Sequence, residues 1–273
     1  MKVGIIGTGN MGGILIHSFI ESEAVKSSNM IITNRTLAKA QKFQKKYSSL
    51  HIAGSAAKVA ETADIIFICV KPREFYPLLH EIKRYLSANK VLISITSPIT
   101  IDDLESIVSC QVARVVPSIT NRTLSGCSLV TFGRNCSEVT KHKLEHLCSY
   151  ISTPIQVEDK NIRAASDIAS CGPAFFSFLL QRFIDGAVKQ TDISKEQATR
   201  LTSEMIIGIA KLLENNVYSL QTLQEKVCVK GGVTGEGIKV LEEELGEIFE
   251  HVFEATHKKF KEDRENIIAQ FYK

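Results

Sequence analysis

The chain lacks the features that mark several large classes of protein. Its seven cysteines are scattered singly at positions 69, 110, 127, 136, 148, 171 and 228, with no CxxC pair. An odd, unpaired set argues against a disulfide framework and gives no metal-ligand spacing, so no metal is expected. A reducing, cytoplasmic compartment suits such cysteines, several of which fall in apolar strand patterns where Cys acts as a small hydrophobe. No apolar run is long enough to cross a bilayer. Charge of one sign is scarce as well: 33 Lys and Arg against 30 Asp and Glu leave a net +3. That balance implies no basic surface for nucleic acid or membrane, and neither is expected as a partner. The basic runs 42–46 and 258–261 lie in helical patterns and read as solvated faces. Met1-Lys2 passes directly into Val3–Ile6 and then glycines, which is no signal peptide. Internal repeats and low-complexity linkers are missing too. What remains is a globular composition, 44% hydrophobic and 23% charged, on 273 residues, long enough for two compact domains.

The first part of the chain alternates short β-rich runs with helical patterns, the mark of a parallel sheet with crossover helices. Strands are expected at Lys2–Ile6, Met30–Asn34, Ile65–Val70, Val91–Ile95, Val112–Val116, Ser128–Phe132 and Ile155–Val157. Helices are expected near Asn10–Glu21, Thr36–Tyr47, Phe75–Tyr85, Ile101–Ser106 and, behind a Ser137 cap, Ser137–Tyr150. After about residue 158 the strand signals stop. Long helical patterns cover Asn161–Lys189, Lys195–Asn215, Ser219–Val227 and Gly235–Phe271. Pro173 can sit inside the first of these only by removing a hydrogen bond and bending it. The expected division is therefore 1–158 and 159–273, an α/β domain followed by an all-α one.

Gly7-Thr8-Gly9-Asn10-Met11-Gly12 follows a buried-strand pattern and opens a helix, the context a GxGxxG turn needs for binding a dinucleotide. Gly7 allows the tight turn, Gly9 lets a pyrophosphate approach the backbone, and Gly12 lets helix and strand pack closely. The helix N-terminus offers free N–H groups to the phosphates. These features identify residues 1–158 as a Rossmann domain. At the end of the second strand, where a carboxylate would hold the ribose 2′-hydroxyl of NAD(H), the chain has Asn34-Arg35-Thr36. A guanidinium and a hydroxyl there suit a 2′-phosphate, so NADP(H) is favoured over NAD(H). Val70-Lys71-Pro72 ends the third expected strand, and Lys71 is placed to approach the cofactor.

These pieces, in this order, resemble the pyrroline-5-carboxylate reductase family along essentially the whole chain. The resemblance rests on Ile6–Gly12, Asn34-Arg35-Thr36, Val70-Lys71-Pro72, Leu92–Ile95, Gly172-Pro173-Ala174-Phe175 and Gly231-Gly232-Val233-Thr234. It implies an NADPH domain, a helical domain that interlocks with a second subunit in a homodimer or larger homo-oligomer, and reduction of the cyclic imine 1-pyrroline-5-carboxylate to proline. It further implies that Gly231 and Gly232 hold the substrate carboxylate and that Thr234 reaches the ring nitrogen. Two readings of that stretch stand on the residues themselves: a loop and N-cap, or a carboxylate site at the start of a Thr234–Leu245 helix. The chain has no obvious His–Asp or Lys general acid, which suits imine reduction better than ketone reduction.

Departures from the family gather at the substrate end. Val116-Pro117-Ser118-Ile119-Thr120 stands where the family has Met-Pro-Asn-Thr-Pro, and Ala169-Ser170-Cys171-Gly172-Pro173 where it has Ser-Gly-Ser-Gly-Pro. Val229-Lys230 replaces Ser-Pro, and Ser97-Pro98 replaces Ala-Gly. Three functions follow: the family's reductase, a reductase of another imine or keto acid, and a non-catalytic or regulatory NADP-binding protein. A divergent paralogue, such as the reductase-like protein encoded with bacterial competence genes, fits the same departures.

Overall fold

The computed structural model describes residues 1–272. Among them, eight strands form one sheet: β1 (Val3–Ile6), β2 (Met30–Thr33), β3 (His51–Ile52), β4 (Ile65–Ile68), β5 (Val91–Ser94), β6 (Gln111–Val116), β7 (Cys127–Phe132) and β8 (Thr153–Gln156). Their order is β3-β2-β1-β4-β5-β6-β7-β8. Strands β1 to β6 pair in parallel, with Val3 opposite both Met30 and Ile65. β7 runs antiparallel to β6, and β8 parallel to β7. The all-parallel expectation fails there because the Pro117–Gly126 connection is shorter than the dozen or so residues a parallel crossover takes. β3 and the helix after it, Ala56–Thr62, were also not foreseen.

The helices around the sheet are α1 (Asn10–Glu21), α2 (Leu37–Lys46), α3 (Ala56–Thr62), α4 (Phe75–Ile82), α5 (Ile101–Glu105) and α6 (Glu138–Ser149). Alternation along each strand sends its side chains to two cores. Val3, Ile5, Ile65, Phe67 and Ile93 pack with Leu15, Phe19 and Leu144 on one face. Ile6, Ile66, Ile68 and Leu92 pack with Val59, Leu79 and Leu104 on the other. Burial on both faces is why these strands read as continuous apolar runs.

Beyond β8 come α7 (Ile162–Ser166), a π-helical turn at Asp167–Cys171, α8 (Gly172–Gln190), α9 (Lys195–Glu214), α10 (Leu220–Val227), α11 (Val233–Leu245) and α12 (Ile248–Phe271). The Pro173 site is met by the widened turn, in which the Gly172 N–H donates to the Asp167 carbonyl; a π-turn is a common way to absorb a residue that cannot donate. The expected Gly235–Phe271 helix is two helices. Gly246, at φ 45° and ψ −130°, breaks it with a backbone conformation foreign to helix.

The compact units do not divide at 158/159. One comprises Met1–Pro173 with the residues from Ala255 onward; the other is Ala174–Glu254. The end of α12 joins the first unit for a packing reason: Ile267 and Phe271 are buried in the second-face core, and Arg264 pairs with Asp103 and donates to the Pro98 carbonyl at 2.8 Å. Among the described residues, no helix is long and apolar enough to cross a membrane, and no cluster of His, Cys, Asp or Glu is placed to hold a metal.

Candidate functional site

Strand order reverses direction at β1 and β4, and the crevice beyond their carboxyl ends is where open α/β sheets bind ligands. The chain puts its glycine turn there. Gly7 has φ +100°, and a Cβ on it would lie 2.5 Å from the Cys69 carbonyl oxygen, so the turn after β1 packs on the end of β4 at a spacing only glycine permits. A Cβ on Gly12 would overlap the Gly7 carbonyl oxygen. Gly9, the N-cap of α1, faces open space, with nothing within 4 Å of its Cβ position. The first turn of α1 carries no acidic residue, so its free N–H groups and the dipole end stay available to phosphate. Asn10 is exposed at that helix start, while Met11 packs against the first-face core.

Among the described residues, the Thr8 hydroxyl is buried with no hydrogen-bond partner. A buried hydroxyl without a partner costs free energy unless a ligand supplies one. With the open face of Gly9, it is the local feature that fits a dinucleotide here.

Asn34 has a part the sequence did not suggest. Its Oδ1 accepts from the Thr8 N–H at 3.1 Å and its Nδ2 donates to the Thr36 carbonyl at 3.1 Å. It is a strut tying the turn after β1 to the turn after β2. Arg35 is 90% exposed along its side chain, its Nη1 lying 3.2 Å from Glu74 Oε1. Thr36 is the N-cap of α2, but its exposed hydroxyl makes no capping bond. Val70 packs half-buried against the second-face core and touches the glycine turn, its Cγ1 3.3 Å from the Gly7 Cβ position. Lys71 is exposed and precedes a 3-10 turn, Pro72–Glu74, that begins with Pro72. The ends of β1, β2 and β4 thus bring the three expected cofactor stretches, 7–12, 34–36 and 70–72, to one crevice, with Met11 and Val70 packed toward the cores.

Beside it lies a cleft of about 460 Å³ lined by Pro72, Ser97, Pro98, Arg163, Asp167 and Cys171 among others. Asp167 is 1% exposed and takes both Arg163, at 2.5 Å, and the Thr256 hydroxyl, at 2.7 Å. Ser170 donates to the Pro117 carbonyl at 2.9 Å, so the π-helical turn is tied to the end of β6. Ser118 is buried and spent on its own turn, accepting from the Thr120 N–H, while Asn121 accepts from the Ser118 N–H at 2.7 Å. Burial holds the Cys171 thiol above its usual pKa, as it does Cys69 and, at about 12, Cys148; none is poised as a nucleophile. Arg114 is wholly buried beneath this region, donating to the Ser97 and Ile99 carbonyls and pairing with Asp159. The sequence signal for it is an arginine inside the apolar run Val112–Val116.

In the helical unit, Gly231 has φ +76°, in open space, and Gly232 is the N-cap of α11, its N–H bonded to the Val229 carbonyl at 2.9 Å. The helix starts at Val233. Thr234 is therefore its second residue and not its cap, which corrects the capping alternative; Lys230 is exposed.

Residues 159–263 match the family described as pyrroline-5-carboxylate reductase dimerisation, and residues 2–98 the one described as NADP oxidoreductase coenzyme F420-dependent. The chain is 54% identical over 272 residues, 100% of both chains, to ComE operon protein 4 of Bacillus subtilis (strain 168). It is 27% identical to pyrroline-5-carboxylate reductase 3 of the same strain, over 95% of this chain and 96% of that one. A crystal structure of Plasmodium falciparum pyrroline carboxylate reductase with NADP bound is 25% identical with a TM-score of 0.81, covering 99% of this chain and 98% of that one. With an α/β unit carrying an intact dinucleotide turn and a helical region matching the family's dimerisation domain, the chain belongs to the pyrroline-5-carboxylate reductase family of oxidoreductases.

Proposed function

We propose that the protein reduces 1-pyrroline-5-carboxylate to L-proline with NADPH, in the cytoplasm, as a homodimer or larger homo-oligomer formed through its helical domain, and so serves proline biosynthesis. The observation that carries this reading is the crevice at β1 and β4, where an unpartnered buried hydroxyl, an open glycine face and an acid-free helix start meet.

The work of the residues follows from their chemistry. Backbone N–H groups of Gly9 to Gly12 neutralise the pyrophosphate, and Thr8 gives its hydroxyl to the same ligand. Arg35 and Thr36 take the 2′-phosphate. When bound, the reduced dinucleotide supplies a hydride to the imine carbon. Gly231 and Gly232, bare of side chains, leave the start of α11 open to the substrate carboxylate. The Gly232 N–H is held by the Val229 carbonyl, so the Gly231 N–H and the first turn of α11 are left to meet the anion, and Thr234 gives a polar contact to the ring nitrogen. Orientation supplies most of the rate, since a protonated imine is already electrophilic.

A second reading is favoured by the Ser118 turn and by the relative named for the ComE operon: the same fold acts on another imine or keto acid, or binds NADP(H) without turnover. One experiment separates them. Purified protein is given NADPH and 1-pyrroline-5-carboxylate, oxidation is followed by absorbance, and proline is identified by chromatography. Proline formation supports the first reading. Cofactor binding by calorimetry without turnover supports the second, and absence of binding overturns both.

A further inference from the structure

The end of β2 carries no carboxylate in the sequence, yet the fold brings one to it. Glu74 closes the Pro72–Glu74 turn after β4, and its Oε1 lies 3.2 Å from Nη1 of Arg35, 39 residues away in the chain. The pair sits in solvent on the arginine side, 90% exposed, and is more sheltered on the glutamate side, 35% exposed. Such a pair adds little to stability. Its effect falls instead on any anion that comes to Arg35.

We propose that Glu74 is a specificity-determining residue of the dinucleotide site, competing with the 2′-phosphate for Arg35 and holding the preference for NADPH over NADH below what Arg35 alone would set. The inference rests on the NADP(H) reading above. A 2′-phosphate dianion arriving at Arg35 must share the guanidinium with a carboxylate already hydrogen-bonded to it. The uncharged 2′-hydroxyl of NADH meets no such competitor. A guanidinium already partnered by a carboxylate at a wet surface attracts a dianion about threefold to tenfold less than a free one, and salt screens the effect. Glu74 acts here through Arg35, as a positioning residue.

The test is binding, measured by calorimetry on the full-length chain with NADPH, NADH and the fragments 2′,5′-ADP and 5′-AMP. Glu74→Gln should tighten NADPH and 2′,5′-ADP by about threefold to tenfold at low salt, leave NADH and 5′-AMP within about twofold, and lose most of its gain at high salt. In an Arg35→Ala background the same change should gain less than about twofold, because no guanidinium is left to release. An unchanged NADPH-to-NADH ratio in Glu74→Gln overturns the proposal, as does a gain that survives loss of Arg35. If the unaltered protein binds neither dinucleotide, the NADP(H) reading itself has failed. An unshifted melting temperature in Glu74→Gln would show that any affinity change does not come from the fold.

Discussion

The two units of this chain treat their apolar side chains in opposite ways. In the α/β unit, Val3, Ile5, Phe19, Phe67, Leu92 and Ile93 are fully buried, and helices cover both faces of the sheet. In Ala174–Glu254, Ile184 and Ala198 are the buried apolar residues among those described, while Phe176, Phe178, Phe183, Leu201, Ile207 and Leu241 are 48–63% exposed. A sheet closed in by helices makes its own core. A run of helices with apolar side chains in water makes half of one, and it reaches ordinary burial only against another surface. The family match to a dimerisation domain falls on that second region. Glycines of the two units differ in the same sense: Gly7 and Gly12 after β1 are hemmed in by backbone, and Gly231 stands in open space.

The contrast can be broken at four points, the largest effect first. Gly12→Ala puts a methyl group on the Gly7 carbonyl; it should cost about 2–4 kcal/mol in denaturant unfolding and abolish NADPH binding. Survival of both would mean that the turn is not packed as described. Leu201→Asp, on the exposed face of α9, would change the stability of a solitary unit by no more than about 0.5 kcal/mol. If a second copy covers that face, light scattering should instead show the assembly falling apart, and a variant that keeps its mass would free Leu201 of any interface role. Gly9→Ala meets nothing within 4 Å. It should melt with the unaltered protein yet bind NADPH at least about tenfold more weakly, because the methyl group occupies the approach to the helix N-terminus.

The smallest effect belongs to Glu21, where Lys46, Arg122 and Tyr47 converge and hold the carboxyl down at about 2 from an ordinary 4.5. A folded-state value depressed in this way gives stability that is complete above pH 4.5 and is lost as pH falls toward 2. Much of it is screened, since the side chain is 33% exposed. Glu21→Gln should lower the melting temperature by no more than about 3 °C at neutral pH and flatten its decline below pH 4.5. An acid limb of unchanged steepness would remove Glu21 from the account.

What the sequence determined by itself is local. A buried strand, a GxGxxG turn and a helix start are neighbours in the chain, so the spacing of Gly7, Gly9 and Gly12 already carries their geometry, and the disturbance of the helix at Pro173 announces itself by the missing N–H. Periodicity placed most strands and helices to within a residue or two. The antiparallel turn to β7, the break at Gly246 and the short β3 lay beyond it, because each depends on which partner a segment meets. So did the long-range pairings: Asn34 bracing Thr8 and Glu74 facing Arg35 at the crevice, and, away from it, Arg264 on Asp103 and the buried Arg114. Charges and amides carry no periodic pattern that names their partners. Only the folded chain, by bringing the ends of β1, β2 and β4 together, decided which of them meet.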